Sequence, residues 1–136
     1  MNDHNRFTDD AFVAQFTNCT LAPALFTHEA HLRLGWIMVR SHGTERAGEV
    51  LCDMIARYAR ALGRAEKFNL TITIASTRMI AHFLARSSAT DFASFIAEFS
   101  KLRSNFQDLL DAHYSGRVYA SDLAATRFIE PDLRPF

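Results

Sequence analysis

Residues 69–87 read NLTITIASTRMIAHFLARS, and whether this stretch is a strand or a helix decides the fold class. Its opening, Leu70-Thr71-Ile72-Thr73-Ile74, is β-branched and alternates apolar with polar side chains, the pattern of a half-buried strand. The run then continues without a turn signal through Met79, Ile80, Phe83 and Leu84, a length strands seldom reach. The continuation predicts a helix, with Asn69 or Thr71 able to cap its start.

The flanking segments carry helical periodicity more plainly. Ala47, Val50, Leu51, Met54, Ile55, Tyr58 and Leu62 recur at the 3.6 period, and Gly63 stands where a left-handed cap belongs. The opposite face of that helix is ionic, with Asp53 and Arg57 four apart and Arg57, Arg60 and Arg64 at the negative end of the helix dipole. Upstream, Thr27 predicts a cap for a helix from His28 to about Ser41, with Leu32, Trp36 and Val39 on one stripe and Gly43 beyond its end. Thr8, followed by Asp9 and Asp10, predicts the start of a first helix through Phe12, Val13 and Phe16 that stops near Asn18.

Downstream, Thr90 is expected to cap a fifth helix carrying Phe92, Phe95, Ile96, Phe99 and Leu102. A sixth is expected from about Asn105 to Tyr114, ending at Gly116, and a short last one from Ser121 through Phe128. The tail from Glu130, with Pro131 and Pro135, cannot stay helical. The expectation is an all-α, single-domain helical bundle of about six to seven helices spanning residues 1–136.

Composition narrows the function classes. Of 136 residues 49% are hydrophobic, twelve of them Phe, enough to build a core. Lys and Arg number 15 against 15 Asp and Glu, and no basic stripe stands out, so nucleic acid is not expected as a partner. The opening MNDHNRFTDD lacks the pattern of a secretory signal, and the run free of charged side chains from Ala11 to His28 is too polar to span a bilayer. A cytoplasmic protein with no membrane partner is expected. Cys19 and Cys52 lack C-x-x-C spacing and read as reduced thiols, Cys52 as a small core residue.

The segment Thr27-His28-Glu29-Ala30-His31 places two imidazoles three apart, on one helix face and in a first turn. That spacing lets His28 and His31 share a divalent transition metal. The positive end of the helix dipole favours neutral rings, which bind metal or take up protons, and the same end welcomes an anion without any metal. The zinc-protease pattern H-E-x-x-H is missed by one residue, and a third ligand would come from His82, His113, Glu130 or Asp132. The plainer reading makes one histidine a hydrogen-bonded core residue and turns the other to water. Asn69, Thr71 and Thr73 form a second polar cluster, at the head of the fourth helix. One full helix separates the second from the fourth, so in an antiparallel bundle both begin at the same end and can converge on one pocket.

The two segments, Phe26-Thr27-His28-Glu29-Ala30-His31-Leu32-Arg33-Leu34-Gly35-Trp36 and Lys67-Phe68-Asn69-Leu70-Thr71-Ile72-Thr73, resemble the signatures of a family of small, uncharacterised bacterial proteins, a domain of unknown function. Its members resemble H-x-x-H-L/V-R-L-A-W followed some thirty-five residues on by Y-H-E-T-I/L-T, with a Tyr-Ser element and a late Pro-Asp. Tyr114-Ser115 and Pro131-Asp132 match, so the likeness runs over about residues 26 to 132. It implies a shared fold and motif positions at His28, His31, Thr71 and Thr73. Where the family often has His-Glu this chain has Asn69-Leu70, and Asn is a weak neutral ligand, which favours a hydrogen-bonding site over a metal.

Two functions are therefore expected to compete. One is a pocket of His28, His31, Asn69, Thr71 and Thr73 that binds a small molecule or a metal, with an enzymatic role open. The alternative is a non-catalytic homodimeric module without metal, whose face would come from the surplus of Phe92, Phe95, Phe99, Phe106 and Phe136. Arg33 reads as a solvated or capping charge and Trp36 as a core anchor.

Overall fold

Three side-chain caps set the frame of the bundle. Thr8, Thr27 and Asn69 hold extended backbone and accept from the N–H groups of Ala11 (3.2 Å), Ala30 (3.2 Å) and Ile72 (2.9 Å), donors that a helix start leaves unpaired. In the computed structural model, which describes residues 3–136, they open α1 (Asp9–Thr17), α2 (His28–His42) and, after α3 (Thr44–Ala61), α4 (Leu70–Leu84). Met1 and Asn2, part of the polar opening read for targeting, lie outside the described residues. The strand-like opening of residues 69–87 is thus helical, and Asn69 rather than Thr71 is its cap. Gly43, at φ +80°, ends α2 and starts α3, a backbone state that glycine reaches without the steric cost of a Cβ.

The second half is more broken than its periodicity implies. Asp91, not Thr90, caps α5 (Phe92–Glu98), accepting from the Ser94 N–H at 2.8 Å; a carboxylate is the stronger partner for the dipole. The helix stops at Phe99, whose backbone (φ −123°, ψ 64°) leaves the helical region, and α6 (Lys101–Ser104) follows as a separate turn. After α7 (Phe106–Asp111), Gly116 opens α8 (Gly116–Tyr119) instead of ending the sixth helix; it lacks a positive φ and so forms no left-handed cap. Beyond α9 (Asp122–Thr126) no helix forms, as the prolines require. The architecture is an all-α helical bundle, with nine α-helices among the described residues.

α2, α3 and α4 pack on one another; α1 lies against α3, α6 against α2, and α7 and α9 against α4. Phe12, Phe16, Leu34, Trp36, Phe95 and Leu102 are buried in one continuous core. Trp36 is the anchor expected of it, in contact with the rings of Phe92 and Phe95. Gly35 lets α2 meet α4 closely, since a Cβ there would stand 2.5 Å from Cδ1 of Ile80.

Arg33 corrects the expectation of a solvated charge. Only 6% of its surface is exposed. Its Nε and Nη2 donate to Oδ1 of Asp9 (3.1 and 2.8 Å), Nη1 to the His4 carbonyl (2.7 Å) and Nη2 to the Phe7 carbonyl (2.9 Å). The guanidinium lies 4.9 Å from the Phe12 ring centroid. His4 is buried beside it: Nδ1 accepts from Arg33 at 3.3 Å, so Nε2 carries the proton and donates to Glu29 at 3.0 Å. Among the described residues no helix is long and apolar enough to cross a membrane.

Candidate functional site

The starts of α2 and α4 share one cavity of about 450 Å³, lined by His28 and His31 from α2 and by Asn69 and Thr73 from the head of α4. Both helices therefore begin at the same end of the bundle, as alternation of direction requires. α3 contributes Leu51 and Ile55 to the wall, and α7 contributes Phe106, Gln107 and Leu110. With Leu32, Ile72, Ile80 and Phe68 the surface is mostly hydrocarbon, and its volume lies in the ordinary range for small-molecule sites. Among the described residues that line it there is no Asp or Glu, and exposed Lys67 is the one permanent cation.

The two imidazoles have their tautomers set by the backbone. His28 Nε2 lies 3.0 Å from the Leu102 carbonyl oxygen, and His31 Nδ1 lies 2.8 Å from that of Thr27. A carbonyl only accepts, so each of these nitrogens carries a proton, and in the neutral rings Nδ1 of His28 and Nε2 of His31 are acceptors. The His28 ring meets Phe106 edge-on at 5.3 Å, and the His31 ring stacks on Phe26 at 3.5 Å, which fixes both planes. His31 keeps accessible surface because it borders the cavity, yet the protein around it removes water from the charged form. That desolvation, against the Thr27 hydrogen bond and helped slightly by His28, holds its pKa below the usual histidine value.

On α4 the polar groups form a ladder. The Thr73 hydroxyl donates to the Asn69 carbonyl and the Thr77 hydroxyl to the Thr73 carbonyl, both at 2.8 Å. Ser76 and Thr77 line the cavity with Thr73, and sequence reasoning missed both, together with Lys67, Phe106 and Gln107. A signal for Thr77 was present: Asn69, Thr73 and Thr77 recur every four residues and so share one helix face.

Thr71 does not belong to the cavity. It is fully buried on another side of α4, where its hydroxyl donates to the Arg127 carbonyl at 2.6 Å and accepts from the Ile129 N–H at 3.2 Å. The C-terminal tail is held there, and other motif residues help hold it. The Tyr114 hydroxyl donates to the Ile129 carbonyl at 2.8 Å, and the Ser115 N–H and hydroxyl both donate to the Asp132 carboxylate.

The third metal ligand sought among His82, His113, Glu130 and Asp132 is not found at the cavity. His113 donates to the Arg134 carbonyl and stacks on Phe136, Asp132 is bound by Ser115, Glu130 lies 3.9 Å from Arg78, and His82 packs edge-on against Phe83 on the last turn of α4. Among the described residues no group of three or more His, Cys, Asp or Glu is placed to hold a metal ion. Cys52 is half-buried, and desolvation pushes its thiol up to about 11, so it stays protonated. Of the five Phe considered for a dimer face, Phe92 and Phe95 are buried, Phe99 and Phe106 pack against the core, and only Phe136 is exposed.

Comparison with protein-family models, with curated proteins and with solved structures returns no match to this chain.

Proposed function

We propose that this protein binds a small, largely apolar organic molecule in the cavity between the starts of α2 and α4, and that it belongs to the bacterial family whose paired motifs its sequence resembles. The observation that carries the reading is the convergence of His28, His31, Asn69 and Thr73, from segments some forty residues apart in sequence, on one cavity of about 450 Å³. Hydrocarbon from four helices supplies the affinity, by burial of ligand surface, and the polar side chains at one end orient the molecule. Two histidines with their protons assigned to backbone carbonyls can also accept a proton from a bound group, the role a general base fills.

The test is nuclear magnetic resonance of the labelled protein against a panel of small aromatic and alicyclic compounds. The expected result is shifts confined to the amides of His31, Thr73, Ser76 and Phe106, and their loss in Ser76→Leu, which fills the space with a side chain α4 tolerates. Shifts scattered over the surface, or unchanged in the folded Ser76→Leu protein, would refute the reading.

A further inference from the structure

We propose that the ligand of this cavity is a neutral alcohol: an apolar aromatic or alicyclic body carrying a hydroxyl group, in preference to a carboxylate or an ammonium. The inference rests on the reading of the cavity as a small-molecule site and names the chemistry of the polar end.

It follows from where the donors of the lining residues already point. His28 and His31 donate to the carbonyls of Leu102 and Thr27, and each neutral ring offers a ligand its other nitrogen, an acceptor. The hydroxyl protons of Thr73 and Thr77 go to carbonyls of their own helix, leaving lone pairs. The Gln107 amide donates one N–H to Asp111 at 2.9 Å, leaving its oxygen and its second N–H. Acceptor groups thus outnumber donor groups along the lining, where Asn69 Nδ2, the second Gln107 N–H, Ser76 and the exposed Lys67 are the donors without a partner among the described residues.

Each class of head group meets this surface differently. A carboxylate is acceptor-only, so it could use the Asn69, Ser76 and Gln107 donors but not the imidazole and threonine lone pairs, and the one cation it could reach is solvated, where an ion pair contributes little. An ammonium would find acceptors but no carboxylate among the described lining residues to balance its charge. A hydroxyl donates one hydrogen bond to an imidazole nitrogen, accepts from Ser76 or Asn69, and brings no charge to desolvate. The hydrocarbon with the same body forgoes these hydrogen bonds, each of which contributes about 0.5–1.5 kcal/mol.

Four probes with one ring system separate the possibilities: 2-naphthalenemethanol, 2-naphthoate, 2-naphthylmethylammonium and 2-methylnaphthalene, titrated at pH 7.5 with amide shifts as readout. The alcohol is expected to bind at least about tenfold more tightly than either ion and than the hydrocarbon, a ratio corresponding to roughly 1.4 kcal/mol. His31→Phe is expected to abolish the advantage of the alcohol over 2-methylnaphthalene while the hydrocarbon still binds. Equal or tighter binding of an ion, or of the hydrocarbon, overturns the hydroxyl assignment and leaves the cavity standing. Binding by none of the four overturns both readings.

Discussion

Replacing Arg33 by Met isolates the polar contribution of the most heavily bonded side chain among the described residues. Methionine keeps an unbranched apolar stem of similar length, so contact with Phe12 is largely preserved and no unpaired charge is created. What is lost is the donor set. The carbonyls of His4 and Phe7 lose partners at 2.7 and 2.9 Å, and hydrogen bonds from a charged donor contribute about 1.5–3 kcal/mol each. The Asp9 carboxylate is 48% exposed and rehydrates when released, so its pair with Arg33 adds at most about 1 kcal/mol. The expected loss is roughly 4 kcal/mol, which for a chain of this size lowers Tm by about 15 °C. Urea denaturation followed by far-ultraviolet circular dichroism measures it, with proteolysis near Phe7 reporting whether the segment before α1 detaches. Asp9→Asn is the control and is expected to cost about 1 kcal/mol, including its share of the α1 dipole. A loss under about 1 kcal/mol for Arg33→Met, or one no larger than that of Asp9→Asn, would show that the clamp on His4 and Phe7 contributes nothing.

Two further outcomes follow from individual contacts. Thr71→Val keeps the shape of a fully buried side chain but leaves the Arg127 carbonyl and the Ile129 N–H unpaired, so it is expected to cost about 2 kcal/mol and to speed hydrogen exchange in residues 127–136; Thr71→Ser keeps the hydroxyl and should cost less, and the reverse order would refute the assignment. His31 has a folded-state pKa below that of the unfolded chain, so the unfolded state binds the proton first: stability is complete above about 6.5 and falls as pH drops through the folded value. His31→Gln is expected to flatten stability against pH just below about 6.5, and an unchanged slope would show that His31 is not desolvated.

The parts of the fold legible in the sequence are those where a local rule and the tertiary structure agree. Thr8, Thr27 and Asn69 were readable as caps because a helix start needs an acceptor wherever it lies in the molecule. The break at Phe99 was not, because periodicity records which side chains face the core and says nothing of backbone continuity: Phe95, Phe99 and Leu102 all meet the core although α5 and α6 are separate. Arg33 was misread for a related reason. Burial of a guanidinium depends on acceptors far away in sequence, here the carbonyls of a turn before α1, and no spacing within α2 announces them.

The candidate site shows the same division within three residues. Convergence of the starts of α2 and α4 followed from counting helices, and the cavity lies where that count puts it. The side of α4 each residue faces also follows from arithmetic, which reading Thr71 and Thr73 as one cluster overlooks. Two positions apart is about 200° of rotation on a helix, so these threonines point to opposite sides; only in a strand would they share a face. Assigning both to one site retained a strand's geometry inside a segment taken to be helical. Applied strictly, the 3.6 period separates Thr71, which holds the tail at Arg127 and Ile129, from Asn69, Thr73 and Thr77, which border the cavity. The motif that carries the family resemblance thus joins two tasks on opposite faces of one helix turn: anchoring the C-terminal tail and lining the pocket.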